Sequence, residues 1–169
     1  DAFLTVSDIT ANECKYLLGR EPDAVTPNGF ENDFVWSGDE YYTKRDEARK
    51  AMITVAEACL GEKFTGDPLI VGTSGRYEFR NKGIDVFIES LKQLAASDRL
   101  RREVLAYITV PAGNRGPRVD LQAHLADPSK PIDESQYKYS THYLENATWD
   151  PIVNALKNSN LTDPGSKVK

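Results

Sequence analysis

The spacing of apolar and polar residues between positions 68 and 110 predicts a strand, a helix and a second strand in succession. Residues 68–72 form a compact apolar run, typical of a central strand that is buried on both faces. Apolar side chains then recur at helical spacing through residues 84–96, and their face consists of Ile84, Phe87, Ile88, Leu91 and Leu94. Residues 104–110 form a second buried strand, which Pro111 ends. This order predicts a right-handed βαβ unit in a parallel sheet.

The first 26 residues predict a shorter strand, helix and strand. Residues 2–6 are apolar enough for a short strand. Ser7 or Asp8 is placed to cap a helix, Thr10 with Glu13 offers an alternative capping box, and Gly19 is placed to end the helix. A brief extended piece follows at residues 24–26.

A turn and a connector separate these elements from a long helix. Pro27-Asn28-Gly29 is a turn sequence, and residues 30–42 show no period, which indicates a connector. Thr43 is the expected cap of the helix that follows, and Gly61 is its expected end. The apolar stripe of this helix consists of Ala48, Ala51, Met52, Val55 and Cys59.

The last third of the chain is more polar and is interrupted by prolines. Residues 112–140 predict a helical piece near 119–125, and Pro151 sits at the tolerated first position of a helix predicted over 151–156. Residues 167–169 look like the beginning of a third strand, so we expect a domain that continues beyond them. The elements together predict an α/β fold.

Composition and charge narrow the class of protein. The 21 lysines and arginines against 26 aspartates and glutamates give a net charge of −5, which argues against a nucleic-acid partner. No run approaches the ~18 apolar residues that span a bilayer, and the first residues lack the features of a signal peptide. We therefore expect no membrane partner and a cytoplasmic location.

The thiols and imidazoles indicate no metal or disulfide chemistry. Cys14 and Cys59 both lie in helix-like patterns, and we interpret them as reduced, buried residues. His124 and His142, the only histidines, have no neighbouring ligands at metal-site spacing. The sequence predicts no metal and no cofactor.

The loop at residues 75–83 carries the candidate chemistry. Ligands of parallel α/β sheets bind beyond the carboxyl ends of strands, beside helix N-termini that favour phosphate. Arg76 follows the predicted strand and Lys82 precedes the predicted helix, so both cations are candidates to bind one anionic ligand. The alternative is a solvated loop in which Glu78 and Arg80 join them in internal ion pairs. The loop matches neither a dinucleotide fingerprint nor a nucleotide-triphosphatase phosphate loop.

The same loop resembles a known family. Gly75-Arg-Tyr-Glu-Phe-Arg-Asn-Lys-Gly83, followed by Ile-Asp-Val-Phe-Ile-Glu-Ser-Leu, resembles the start of the nucleotide domain in glycogen synthases of the animal and fungal type. Further separated matches occur in the same order as in the family, at residues 5–10, 13, 17–18, 20–23, 27–29, 106–112, 141–142 and 150–152.

The resemblance implies a fold and a division into domains. It implies part of a two-domain retaining glycosyltransferase, each domain a Rossmann-like parallel sheet with flanking helices. Residues 1–30 would end the N-terminal domain, and residues 31–66 would form a hinge or connector with a long helix. Residues 67–169 would form the first part of the C-terminal, nucleotide-binding domain. The family's paired glutamates have no counterpart in this sequence, so the segment alone is expected to be inactive.

The resemblance also assigns roles to three residues. Arg76 and Lys82 match the pair that contacts the donor diphosphate, and Asn28 matches a residue near the donor sugar. The implied reaction transfers glucose from a nucleotide diphosphate glucose, UDP-glucose in particular, to the non-reducing end of an α-1,4-glucan with retention. No catalytic role transfers to His142, and no substrate role transfers to Arg115 or Arg118.

Other classes of function and assembly stay open at this point. A different sugar-nucleotide enzyme of the same two-domain fold, such as a sucrose-phosphate-type synthase or an epimerase, would share the loop. A non-catalytic α/β interaction module would show no dependence on nucleotide. Unpaired strand edges in the segment's sheet also make a homo-oligomer or strand exchange an expected hazard.

Overall fold

The computed structural model describes residues 1–163 and 165–169, and it divides the chain into two units, Asp1–Arg45 and Asp46–Lys169. The first unit contains, in order, β1 (Leu4–Thr5), α1 (Asp8–Leu18), β2 (Ala24–Val25) and a short 3-10 helix (Asn32–Phe34). The long helix α2 (Gly38–Leu60) begins in the first unit and ends in the second.

The first unit is a small parallel βαβ arrangement. β1 pairs with β2 in parallel, with Leu4 opposite Ala24. The predicted caps of α1 are confirmed: the Ser7 hydroxyl accepts the Thr10 N–H at 3.2 Å, and Gly19 ends the helix with φ 65°. Both strands have only two residues and are therefore shorter than predicted.

The predicted start of α2 at Thr43 is wrong, because the helix begins five residues earlier at Gly38. Thr43 lies inside the helix, where its hydroxyl donates to the Asp39 carbonyl at 3.2 Å. The first turn carries Asp39 and Glu40, which favour a helix N-terminus, but it is solvent-exposed and shows no apolar stripe. Part of the predicted connector is consequently helical.

Two smaller predictions in this region also differ from the structure. Residues 27–29 form no turn, and neither Asn28 nor Gly29 has a positive φ. Cys14 is half-buried rather than buried, because α1 buries none of its residues. Cys59 is buried as predicted, and both thiols are free.

The second unit contains the predicted βαβ unit and a smaller, two-stranded antiparallel sheet. Its elements after α2 are β3 (Leu69–Ser74), α3 (Ile84–Ala95), β4 (Val104–Thr109), β5 (Asn114–Pro117), α4 (Val119–Ala126), β6 (His142–Leu144), α5 (Pro151–Lys157) and a 3-10 helix (Asn160–Thr162).

The main sheet is parallel, as predicted. β3 and β4 pair from Leu69 opposite Val104 to Ser74 opposite Thr109. Val168 then bridges Val104 in parallel, and the Lys169 N–H donates to the Val104 carbonyl at 2.8 Å. The predicted beginning of a third strand is therefore seen on the far side of β4.

The α3 helix covers this sheet with the face that the sequence predicts. Ile84, Ile88 and Leu91 are buried and pack with Val104 and Val168 in one core cluster. Each buried side chain of this size contributes roughly 1.5–3 kcal/mol to stability. Residues of α5 pack against the same cluster, so α3 and α5 are neighbours across it.

The prediction that β3 is buried on both faces is wrong, since Leu69 is 47% exposed. β3 is an edge strand: among residues 1–163 and 165–169 it pairs with β4 alone. An edge strand lacks the covering neighbours that bury a central strand, and a compact apolar run does not distinguish the two.

The polar region after β4 contains structure that the sequence only partly predicts. β5 pairs with β6 in an antiparallel arrangement that is irregular between Asn114 and Pro117. β5 contains glycine and proline and no run of apolar residues, so the apolar pattern did not predict it. The helix α4 was predicted, and the start of α5 is confirmed with Asp150 as its N-cap, accepting the Val153 N–H at 2.9 Å.

Candidate functional site

The loop at residues 75–83 runs from the carboxyl end of β3 to the N-terminus of α3, as the sequence predicts. Gly75 has φ 146° and Gly83 has φ 66°, two conformations that favour glycine. The Gly75 N–H donates to the Thr109 carbonyl at 3.3 Å, which joins the start of the loop to the end of β4. The loop therefore lies at the edge of the sheet where ligands of parallel α/β folds bind.

The two predicted cations lie in this loop, and both are exposed. The Arg76 Nε lies 3.2 Å from the Glu78 Oε1, and the Arg76 side chain is 75% exposed. Lys82 makes no ion pair within the described part of the chain. The alternative of a self-paired loop thus holds for Arg76 but not for Lys82.

The N-terminus of α3 is less open than the sequence suggested. The Asp85 carboxylate accepts the Val86 N–H at 2.9 Å, and the Phe79 carbonyl accepts the Asp85 N–H at 3.2 Å. The Lys82 and Gly83 amides donate to carbonyls within the loop at 2.9 and 3.0 Å. An anion at this site would consequently depend on the side chains of Arg76 and Lys82 more than on free backbone amides.

Tyr77 connects the loop to α5. Its hydroxyl donates to the Asp150 Oδ2 at 2.6 Å and accepts the Ile152 N–H at 3.4 Å. Burial raises the pKa of Tyr77 well above its usual value, and the bond to the Asp150 carboxylate raises it further. Tyr77, Phe79 and Phe87 all pack against the core cluster of α3. The link to Asp150, 73 residues away, has no signal in the sequence.

The other residues singled out in the sequence lie elsewhere. Asn28 is exposed and belongs to the first unit, whereas the loop at residues 75–83 belongs to the second. His142 is an exposed residue of β6 whose Nδ1 lies 3.0 Å from the Thr141 hydroxyl oxygen. Arg115 is exposed in β5.

Arg118 is a buried charged residue, and no pattern in the sequence indicates its burial. Its side chain is 1% exposed, and its Nη2 lies 2.5 Å from the Asp120 Oδ2. The Tyr143 hydroxyl also donates to the Asp120 carboxylate, at 3.3 Å. The hydrogen bond from Arg118 holds the pKa of Asp120 well below its usual range. Burial raises the pKa of the nearby Cys59 thiol.

Two kinds of site are absent from the described residues. No group of three histidine, cysteine, aspartate or glutamate side chains within 1–163 and 165–169 is placed to hold a metal ion. In the same residues, each helix is too short or too polar to cross a bilayer.

Comparison with known proteins adds a family to this geometry. The family model for glycogen synthase matches residues 1–125, which include both the first unit and the loop at 75–83.

Individual relatives agree with the family model. The glycogen [starch] synthase of Neurospora crassa is 38% identical over 120 residues, which cover 66% of this chain and 17% of that protein. The Homo sapiens liver glycogen [starch] synthase is 36% identical over 120 residues, covering 65% of this chain and 16% of that protein. Isoform 2 of Saccharomyces cerevisiae is 33% identical over 120 residues, covering 68% and 17%. The chain thus spans about a sixth of the length of these relatives.

Proposed function

The chain belongs to the glycogen synthase family, and we propose that its 75–83 loop binds the diphosphate of a nucleotide-sugar donor. The protein that contains it would transfer glucose from UDP-glucose to the non-reducing end of an α-1,4-glucan, with retention of the anomeric configuration. The observation that carries this proposal is the pair of exposed cations, Arg76 and Lys82, at the carboxyl end of β3.

The two cations would bind a diphosphate in different ways. The guanidinium of Arg76 is a planar fork that can bind two phosphate oxygens, whereas the ammonium of Lys82 is a compact charge on a flexible stem. As far as the described residues show, the Arg76 side chain is held by a solvent-exposed pair with Glu78 alone, which is worth about 0–1 kcal/mol. Hydrogen bonds to charged groups contribute roughly 1.5–3 kcal/mol each, so a diphosphate would displace Glu78 from the guanidinium.

The same contacts would promote the reaction. When the bond between glucose and the diphosphate breaks, negative charge grows on the phosphate oxygens and an oxocarbenium-like sugar forms. Cations already aimed at those oxygens stabilise the transition state more than the ground state, and that difference accelerates the reaction. Arg76 and Lys82 would then supply the charge that a divalent metal supplies in many other glycosyltransferases.

The roles of Asn28, the acceptor and the cellular location are proposed on the same basis, membership of the family. Asn28 would lie near the donor sugar, and its replacement by alanine should weaken sugar-nucleotide binding more than binding of the nucleoside diphosphate alone. The α-glucan would be the acceptor, and the cytoplasm would be the location of the enzyme.

Thermal unfolding with nucleotides tests the donor assignment. The full-length protein is heated with millimolar UDP, ADP or UDP-glucose, and the Arg76→Ala variant is measured in parallel. A ligand at about 100 times its Kd stabilises the folded state by about 2.7 kcal/mol, a shift of several degrees in Tm. We expect the shift in the original protein and its loss in Arg76→Ala. A protein that responds to none of the three nucleotides would instead be an interaction module.

A further inference from the structure

Tyr77 occupies a distinctive place in the loop because it follows Arg76 directly. Consecutive Cα atoms are ~3.8 Å apart across a trans peptide, so a restraint on Tyr77 also restricts where the Arg76 backbone can lie. The Tyr77 ring packs against the core cluster, and its hydroxyl donates to the Asp150 Oδ2 at 2.6 Å.

The acceptor of this hydrogen bond is itself fixed. The Asp150 Oδ1 accepts the Val153 N–H at 2.9 Å as the N-cap of α5, and the Asp150 N–H donates to the Asn146 carbonyl at 3.1 Å. α5 in turn packs against α3 and the core through Ile152 and its neighbours. The carboxylate that accepts the Tyr77 hydrogen bond is therefore held by elements outside the loop.

Among the described residues, the other polar side chains of the loop form no hydrogen bond or ion pair with the rest of the second unit. Within the described residues, the side-chain hydrogen bonds and ion pairs of Arg76, Glu78 and Asn81 all stay inside the loop. Tyr77 is the one side chain of residues 75–83 that forms a hydrogen bond outside it, as far as the described residues show.

We propose that Tyr77 is a positioning residue, whose hydrogen bond to Asp150 holds the Arg76 guanidinium where the donor diphosphate must bind. This inference rests on the proposed function of Arg76. A side chain near reacting atoms needs support from residues around it, because a displacement of ~1 Å can lower a rate by about 100-fold. The bond between Tyr77 and Asp150 is the support that the structure provides.

The chain offers a matched control for removal of the hydroxyl. Tyr107 is also half-buried, and its hydroxyl donates to the Met52 carbonyl at 2.7 Å. Burial raises the pKa of Tyr107 to about 12, and burial also raises the pKa of Tyr77. Tyr77→Phe and Tyr107→Phe thus remove the same group and one hydrogen bond each, but Tyr107 has no contact with the loop among its described hydrogen bonds.

The experiment compares the two variants in the full-length protein. Calorimetric titration measures the Kd for UDP, steady-state kinetics measures kcat and KM for UDP-glucose, and Tm reports folding. We expect Tyr77→Phe to weaken UDP binding and to lower kcat by about 10-fold each. We expect Tyr107→Phe to lower Tm by about as much as Tyr77→Phe does, but to leave Kd and kcat within about twofold of their original values.

A second set of variants tests the same hydrogen bond from its acceptor side, and Asp150→Asn alone serves this purpose if Tyr77→Phe is unstable. Asp150→Asn preserves an N-cap acceptor but removes the charged partner of the Tyr77 hydroxyl. We expect it to weaken UDP binding, and we expect the double variant with Tyr77→Phe to be no weaker than the worse single variant. Fully additive losses would overturn the proposed link.

The outcomes separate this inference from the proposed function. If Arg76→Ala abolishes UDP binding while Tyr77→Phe and Tyr107→Phe behave alike, Arg76 binds the donor but Tyr77 does not position it. If Arg76→Ala leaves UDP binding unchanged, the donor assignment of the loop itself is wrong.

Discussion

Two arginines of the second unit, Arg76 and Arg118, each face a carboxylate two residues later in the chain, but their surroundings are opposite. The Arg76 and Glu78 side chains are 75% and 35% exposed, and the contact between them is 3.2 Å. The Arg118 and Asp120 side chains are 1% and 12% exposed, and their contact is 2.5 Å. The same spacing in sequence therefore gives an exposed pair, Arg76 and Glu78, which we call the open pair, and a largely buried pair, Arg118 and Asp120, which we call the closed pair.

The difference lies in what else each carboxylate binds. Besides Arg118, Asp120 accepts the Asp133 N–H at 3.0 Å and the Tyr143 hydroxyl at 3.3 Å, so its oxygens are well satisfied. Apart from Arg76, the side-chain partner of Glu78 is Asn81, at the limiting distance of 3.5 Å. A buried, satisfied pair holds structure together, whereas an exposed pair can exchange its carboxylate for a ligand. We therefore expect replacement of Arg118 to lower stability and replacement of Arg76 to lower activity.

The largest effect on stability is expected from Arg118→Ala. This change leaves the Asp120 carboxylate buried without its cation, which typically costs about 3–5 kcal/mol. Urea denaturation of the protein measures the loss, and Arg115→Ala, at an exposed neighbouring arginine, should change the free energy of unfolding by less than about 0.5 kcal/mol. Equal effects of the two variants would show that the Arg118 pair has no structural role.

The largest effect on activity is expected from Arg76→Ala. Loss of one preorganised group that stabilises developing charge lowers turnover by about 10²–10³-fold. Because Arg76 is exposed, the variant should remain folded, with an unchanged circular dichroism spectrum. Arg80→Ala is the control, since Arg80 is an exposed cation of the same loop without a proposed donor contact. Similar turnover in the two variants would refute the assignment of Arg76.

The sequence predicted where the open pair lies better than it predicted the closed one. The apolar stripe of α3 and the runs of β3 and β4 placed the 75–83 loop at the carboxyl end of a parallel strand, and the structure agrees. Arg118 donates to the carbonyls of Tyr137 and Ser140, which lie about 20 residues further along the chain. Its partner Asp120 accepts hydrogen bonds from Asp133 and Tyr143, which are also distant in sequence. Contacts of that range leave no period in the sequence.

Other differences have local causes. The exposed first turn of α2 has no apolar stripe, so the pattern placed its start at Thr43 instead of Gly38. β5 contains glycine and proline, which usually indicate loops. The bond from Tyr77 to Asp150 could not be predicted because the two residues are 73 positions apart and no periodic pattern links them.

The closed pair also predicts a response to acid. The pKa of Asp120 is lowered in the folded protein, mainly by the hydrogen bond from Arg118. The associated stability is present above the unfolded pKa of about 3.9 and is lost as the pH falls below it, because the unfolded chain then binds a proton that the folded chain does not. Asp120→Asn should remove roughly 1–3 kcal/mol of this acid-dependent loss, measured by urea denaturation between pH 5 and about pH 2. Parallel profiles for the two proteins would contradict this account.

The smallest effect is expected from Glu78→Gln, which opens the exposed pair further. Removing this carboxylate frees the Arg76 Nε and takes away a charge that repels phosphate. An exposed pair is worth about 0.2–1 kcal/mol, so UDP should bind about 1.4- to 5-fold more tightly. Weaker binding of UDP to Glu78→Gln would indicate that Glu78 orients Arg76 instead of competing for it.

Titration calorimetry on a charge-reversed protein tests the central claim most directly. UDP is titrated into the full-length protein and into the double variant Arg76→Glu and Lys82→Glu, at the same ionic strength and with circular dichroism to verify folding. Two repulsive charges in place of two attractive ones should abolish measurable binding. A folded double variant that binds UDP with the original Kd would show that the donor diphosphate does not bind at this loop.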